Sequence, residues 1–434
     1  ETALLEGQKP VKVLEITKLT DEKTGEGVRV EVESFEGDNL VFVDEGHKGT
    51  GSTAETWRSR RQELAGDQGF TFEYSATFGQ AMSKATASIE EEYGKSILFD
   101  YSYPRFYDDG YGKDYRILNL EDDFNEDLTR RYLLANLLTF YEQSRVFDRH
   151  TDTLRGTYNI AAPLLIFIGH SVVAGKTRSE LSTNDKKSIS DVQELVNFLR
   201  QVLQNQDNWV PEAIDAILAG EAGLSREDGR SLFADSFSVL QDAEVDGETI
   251  YTDLLQRFFH VDGSAGLHLV NLKGGDAEGE IGLRAGQSAP FFGVINIGDE
   301  TNFLNGVEEK LPEIDIRDSQ FEGSLFKEVN RTDSDIQVLI GAKKFIEGWS
   351  SWRVSTMGLM NIGRSEGSQI IQLFGRGVRL KGKDLTLKRS SALDGSHPDY
   401  LPLLERLHIF GIRADYMADF RDYLADEGID VEER

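Results

Sequence analysis

Leu40-Val41-Phe42-Val43-Asp44-Glu45-Gly46-His47 is the stretch on which the fold turns. Its four apolar residues predict a strand buried on both faces of a parallel sheet, because such strands are continuous apolar runs rather than alternating ones. Two carboxylates then fall at the strand's carboxyl end, where open α/β sheets bind ligands. A solvated turn can also carry an Asp-Glu pair, so the surroundings decide its meaning. Val11–Thr17 (VKVLEIT), Val28–Val32 (VRVEV) and Phe70–Tyr74, separated by Gly, Asp and Lys clusters, predict further strands. Leu128–Arg145 is amphipathic with helical spacing. Together these predict an α/β domain over residues 1–150.

A second α/β domain is expected over 151–434. It opens on the apolar strand Pro163–Ile168, followed by a polar loop and a helix over Asp191–Leu203 with Ser190 as N-cap. Residues from about 205 to 330 mix acidic loops, the pair Gly274-Gly275 and short strand candidates at Leu267–Leu272 and Phe291–Ile297, the pattern of an insertion. Regular α/β pattern returns at Ile336–Gly341, Ser355–Met360 and the helix Ser368–Phe374, and Tyr400–Gly428 has the periodicity of a closing helical segment.

Composition narrows the chemistry. The 434 residues include no Cys, which excludes disulfide frameworks, Cys-based zinc sites, iron–sulfur clusters and thiol nucleophiles. Carboxylates, Arg, Lys, His, Ser and Thr must carry any reaction. No apolar run approaches the ~18 residues of a membrane span, and no charged-then-apolar leader is evident, so a cytoplasmic protein without membrane partners is expected. A net charge of −29 opposes nonspecific attraction to nucleic acid. Locally the sign reverses. Arg376, Arg379, Lys381, Lys383, Lys388 and Arg389 face one acid, Asp384, for a net +5 over fourteen residues. Arg58, Arg60 and Arg61 form a second basic cluster beside Trp57, a possible stacking surface.

Three further elements carry chemistry. Adjacent Asp44 and Glu45 can hold a Mg²⁺ and orient an attacking water, as nucleotide hydrolysis requires. Tyr74-Ser75-Ala76-Thr77 sets two small hydroxyls at the end of the next strand. In Gln372-Leu373-Phe374-Gly375-Arg376-Gly377-Val378-Arg379, two arginines three apart share a helix face, and their planar forks grip phosphate oxygens bidentately. Upstream, Lys343–Trp349 (KKFIEGW) supplies a Gly-centred turn after a strand.

Asp44–His47, Ser75–Thr77, the strand at Pro163–Ser171, Lys344–Trp349 and Gln372–Arg379 resemble, in order, motifs II, III, IV, V and VI of superfamily 2 DEAD/DEAH-box helicases and translocases. The closest flavour is the restriction subunit of type III restriction enzymes and related phage-defence helicases. The resemblance implies two RecA-like domains with ATP between them, the second carrying the insertion, and an ATP-dependent DNA helicase or translocase acting on double-stranded DNA with other subunits of a restriction or defence complex. Asp44 would hold Mg²⁺ and Glu45 would be general base. His47 would relay nucleotide state to Ser75 and Thr77, which couple hydrolysis to domain movement. Gln372, Arg376 and Arg379 would reach the γ-phosphate, and Gly348 would join the nucleotide contacts. Arg58, Arg60, Arg61, Lys381, Lys383, Lys388 and Arg389 are the expected nucleic-acid contacts.

The sequence departs from the family in two places. Ser350 stands where motif V usually has Asp, and no Walker A loop, G-x-x-x-x-G-K-[ST], precedes motif II. Gly169–Thr177 ends in Gly-Lys-Thr but has five residues between its glycines and follows motif III, the signature of an ordinary loop. The missing loop, with Glu1 rather than Met at the start, predicts a first domain whose front lies upstream of this chain. A non-catalytic nucleic-acid-binding or assembly subunit that has lost hydrolysis is the alternative. With about 50 residues after Arg379, no nuclease domain is expected.

Overall fold

A computed structural model describes residues 11–15, 18–20, 30–35, 37–46, 54–75, 87–120, 125–169, 183–226, 228–297, 299–341, 349–360 and 367–412. The chain divides into two compact units, Glu1–Asp100 and Tyr101–Arg434.

In the first unit, β1 (Leu19–Thr20) pairs in parallel with β2 (Val30–Glu31), and β3 (Leu40–Val43) pairs in parallel with β4 (Phe70–Glu73) through the crossover helix α1 (Ala54–Ala65). The register Leu40↔Phe70 and Phe42↔Phe72 puts these four side chains on one face, where Phe42 stacks on Phe72 at 5.6 Å. Val43, on the opposite face, is buried. Full burial of β3 is not observed: Leu40 is 59% exposed and Phe42 63%. A parallel strand needs cover on both faces, and among the described residues β3 and β4 form a sheet of two strands. Val11–Glu15 is exposed and irregular rather than a strand.

The second unit is built on a nine-stranded sheet. In chain order its strands are β5 (Asp114–Leu120), β6 (Leu164–Ile168), β7 (Leu267–Lys273), β8 (Glu280–Ala285), β9 (Phe291–Asn296), β10 (Asp315–Gln320), β11 (Val338–Gly341), β12 (Val354–Met360) and β13 (Arg406–Ile412). Their spatial order is β10-β7-β8-β9-β11-β6-β12-β13-β5, and every pairing is parallel except those of β8 with β7 and β9. All five residues of β6 are buried, as its apolar run predicts for a strand between two parallel neighbours.

Alternate residues of β6 feed two cores. Leu165 and Phe167 pack with α2 (Glu126–Arg149), α3 (Thr183–Gln204), α4 (Trp209–Leu218), α5 (Gly247–Phe259) and α6 (Glu300–Lys310). Leu164, Ile166 and Ile168 pack with Leu325, Val329 and α7 (Gly367–Gly377) on the other face. Helix α2 starts where Asn125 accepts the Leu128 N–H at 2.9 Å, with Glu126 and Asp127 in its first turn and Arg149 in its last. Tyr132 through Gln143 are all buried, so α2 is a central helix rather than a surface one.

Architecture of the α/β class, with a large, mostly parallel sheet between helices, is therefore observed, and it is compatible with a RecA-like fold. Several boundaries differ from the sequence expectation. The division falls after residue 100 and not near 150, because β5 pairs along its whole length with β13 and α2 packs in the second unit's core. Segment 205–330 is no appendage. It supplies β7 to β10, four of the nine strands, and its acidic loops merely join them. Helix α3 begins at Thr183, which leaves Ser190 inside it. Of the expected closing helical segment Tyr400–Gly428, Leu401–Leu404 is helical, Arg406–Ile412 is instead a strand, since Leu407 to Ile412 is an unbroken buried run whose place is inside a sheet, and residues 413–428 lie outside the described residues.

Candidate functional site

The expected chemistry falls on two constellations, one in each unit.

In the first unit, β3 and β4 end side by side. Tyr74 donates its N–H to the Val43 carbonyl at 2.9 Å, and Gly46 donates to the Tyr74 carbonyl at 2.9 Å, so the parallel pairing continues into the turn. Asp44 and Glu45 thus stand beside Ser75 at the carboxyl edge of the pair. The turn is tight: the Glu45 N–H bonds the Asp44 Oδ1 at 3.0 Å, and Glu45 has φ 54°. A left-handed residue with a side chain costs roughly 1–2 kcal/mol, and such conformations cluster at functional sites. Asp44 is exposed and Ser75 half-buried, while His47 and Thr77 lie outside the described residues.

One exposed carboxylate at a strand end suits a Mg²⁺ carried in with phosphates, since that ion keeps several waters and takes one or two carboxylates. Among the described residues no cluster of three His, Asp or Glu could hold a metal unaided. When bound, such an ion would neutralise phosphate charge, and Asp44 is the residue that would hold it.

The neighbouring basic cluster divides. Arg61 pairs with Glu73, and Arg61 and Glu73 both bond the Tyr93 hydroxyl, at 3.2 and 2.8 Å. Burial lowers its pKa. Arg61 therefore ties α1 to β4 and to the helix Ala87–Ser96, instead of facing a nucleic acid as expected. Arg58 and Arg60 lie partly buried on α1.

In the second unit, α7 turns Ile371, Leu373 and Phe374 into the core and Val378 is buried just past its end; Arg376, in its last turn, and Arg379, two residues beyond the helix rather than on its face as expected, are half-buried. A Cβ on Gly377 would lie 2.3 Å from the Met357 Cε and 2.8 Å from a Leu407 Cδ, so glycine lets the helix end rest directly on β12 and β13. That close seat aims the flanking arginines. Arg376 Nη1 donates to the Trp349 carbonyl and Arg379 Nη1 to the Ser350 hydroxyl. Ser350, where the resemblance expects Asp, thus supplies a polar link from the strand-following segment to the end of α7.

Both partners are neutral. Among the described residues neither arginine has a carboxylate partner, and the buried Arg376 Nε has no acceptor. Burial and then the charge of Arg376 lower the Arg379 pKa. Two adjacent, partly desolvated guanidiniums without a counter-charge make a site that an anion would relieve. Gln372 is half-buried on the same helix, and Gly348 lies outside the described residues.

Beyond Arg379, Lys381 Nζ sits 5.6 Å over the Trp352 ring, Lys388 Nζ lies 4.7 Å over Tyr111, and Lys383 is half-buried. Arg389, another expected nucleic-acid contact, is instead a latch: it donates to the carbonyls of Tyr107 at 2.7 Å, Tyr111 at 2.9 Å and Gly112 at 3.4 Å. Sequence reasoning missed the most engaged cation. Arg353, 6% exposed, donates to the carbonyls of Ala162 (3.0 Å), Pro163 (3.2 Å), Ile336 (3.0 Å) and Val329, and burial lowers its pKa to about 10. Its one signal was an Arg at the start of an apolar strand.

No helix among the described residues is long and apolar enough to cross a membrane. Compared with protein families, characterised proteins and solved structures, the chain finds no match.

Proposed function

We propose that this chain is the motor part of an ATP-dependent DNA helicase or translocase, of the kind that serves restriction or phage defence. The observation that carries the proposal is the Arg376–Arg379 pair, held against Trp349 and Ser350 with no carboxylate partner among the described residues. Arg353 and Arg389 each spend several donors on carbonyls and Arg61 pairs with Glu73, whereas Arg376 and Arg379 each make a single bond to a neutral oxygen and keep donors and charge for an anion. The strand-end carboxylates Asp44 and Glu45, beside Ser75, support the same chemistry, because phosphoryl transfer needs charge stabilisation and an oriented water.

Equilibrium binding of ATP with Mg²⁺ to this chain, with and without DNA, is the test. The proposal expects saturable binding that Arg376→Ala and Arg379→Ala each weaken; without a G-x-x-x-x-G-K-[ST] loop, hydrolysis by this chain alone is expected to fail, and DNA-stimulated hydrolysis that Glu45→Gln abolishes is expected only where such a loop is supplied. Absence of nucleotide binding at millimolar ATP would sink it.

The sequence holds no G-x-x-x-x-G-K-[ST] loop, and this favours a second reading, a non-catalytic nucleic-acid-binding or assembly subunit. DNA binding without any ATP binding is the outcome that selects it.

A further inference from the structure

The loop Lys381–Lys388 (KGKDLTLK) carries unusual backbone strain. Gly382 has φ 70°, Asp384 54°, Leu385 58° and Leu387 63°. For Leu this is a genuine outlier, and strain of this kind persists only where surrounding structure over-determines it. Here the base is clamped: Leu387 N–H bonds the Lys381 carbonyl at 2.8 Å, Gly112 N–H bonds the Leu387 carbonyl at 2.9 Å, Arg389 N–H bonds the Gly110 carbonyl at 2.8 Å, and Asn159 Nδ2 bonds the Gly382 carbonyl at 3.1 Å.

The strain does not bury the apolar side chains. Leu385 is 62% exposed and Leu387 45%. Next to the loop, Trp352 is 37% exposed with Lys381 over its ring. Among the described residues Lys381, Lys383 and Lys388 form no ion pair. The clamped loop thus presents three lysines and two exposed leucines, with the Trp352 indole against its first lysine.

We propose that Trp352 and the loop Lys381–Lys388 form a contact surface for single-stranded nucleic acid, with the indole stacked on a base, the leucines wedged against unstacked bases and the lysines on phosphates. This deepens the function proposed above and rests on its nucleic-acid half. Aromatic stacking and a positive track are how sequence-tolerant strand binding works, and leucine is among the residues that wedge between bases. Charge favours a strand over a membrane surface. A body of net charge −29 repels an extended anionic sheet, whereas a single strand can follow a local basic track within the ~8 Å over which charge acts at physiological salt.

The test is fluorescence anisotropy with a labelled oligo-dT and with an abasic deoxyribose-phosphate strand of equal length, using the full chain. Trp352→Ala is expected to weaken oligo-dT binding about tenfold or more and leave abasic-strand binding and the salt slope unchanged. Trp352→Phe retains most of the affinity. Lys383→Gln with Lys388→Gln lowers the salt slope by about one to two. Leu385→Gly with Leu387→Gly relieves the strain, so it weakens oligo-dT binding while the melting temperature holds or rises. Variants that bind oligo-dT like wild type, a fall in melting temperature for the glycine pair, or leucine-dependent binding to phosphatidylserine vesicles in place of DNA would overturn this inference. Failure of the wild type to bind any DNA instead removes the function on which it rests.

Discussion

Replacing Glu142 by Gln should stabilise the protein at alkaline pH and leave it nearly unchanged in mild acid. Glu142 lies on α2, 3% exposed, with Oε1 accepting the N–H groups of Val239 at 3.0 Å and Leu240 at 3.4 Å. Burial raises its pKa from 4.5 to about 7, against the lowering effect of those two bonds. The folded state therefore holds a proton that the unfolded chain has lost. Below the unfolded value both states are neutral and the group contributes nothing unfavourable. Between 4.5 and about 7 the unfolded chain ionises first, and stability falls by about 1.4 kcal/mol per pH unit. Above that window the full penalty of about 3 kcal/mol remains, and Gln, which can still accept both N–H groups, does not carry it. Urea midpoints of wild type and Glu142→Gln, at about pH 5 and about pH 8 with matched slopes, measure the difference. A gain that is the same at both pH values, or a less stable variant at the higher one, refutes the assignment of a buried, protonatable carboxyl.

Arg353→Lys removes a guanidinium that bridges four carbonyls, and an ammonium on a flexible stem cannot satisfy them in its place; a loss of about 3 kcal/mol in urea unfolding is expected. His408, 7% exposed, has its pKa lowered to about 3, by burial first and then by Arg406 and Arg116. Its unfolded form takes up a proton below about pH 6.5 while the native form does not, so stability falls as pH drops through that window, and His408→Asn should flatten the acid limb of the pH–stability curve. Gly377→Ala should cost about 1–3 kcal/mol through its contacts with Met357 and Leu407, and weaken phosphate-dependent binding by displacing Arg376 and Arg379, which calorimetric titration with ATP reads directly.

Apolar runs betrayed the interior strands. Leu164–Ile168 and Ser355–Met360 were legible because a strand buried on both faces has few other compositions. The same rule failed at Leu40–Val43, where composition states what a strand requires and not whether the neighbours that would cover it are at hand. Leu267–Leu272 and Phe291–Ile297 were likewise legible as strands; that they belong to the main sheet was not, because Gly pairs and acidic loops signal breaks in the chain and carry no information about which pieces pair. Pairing of β5 with β13 joins residues almost 300 positions apart, a long-range choice that local pattern cannot encode. For the site, side-by-side placement of Asp44, Glu45 and Ser75 was legible from motif order, and the link from Arg379 to Ser350 was not, since the sequence offered a Ser where an Asp was expected.

Charge type alone does not separate structural cations from those proposed to bind an anion; unsatisfied donor capacity is the criterion the proposal rests on. An arginine carries five N–H donors and no acceptor. Arg353 and Arg389 exhaust much of that capacity on backbone carbonyls, and Arg61 discharges itself on Glu73. An anion arriving at any of these would have to displace an internal bond. Arg376 and Arg379 each make one bond to a neutral oxygen, which orients the guanidinium and leaves its charge uncompensated. Because a half-buried cation beside a second cation is electrostatically unfavourable in the absence of ligand, the pair is held by the seat of α7 on β12 and β13 rather than by its own interactions. On the function proposed above, binding energy for a phosphate would thereby be stored in the fold before the ligand arrives, as preorganised electrostatic stabilisation of phosphoryl transfer requires.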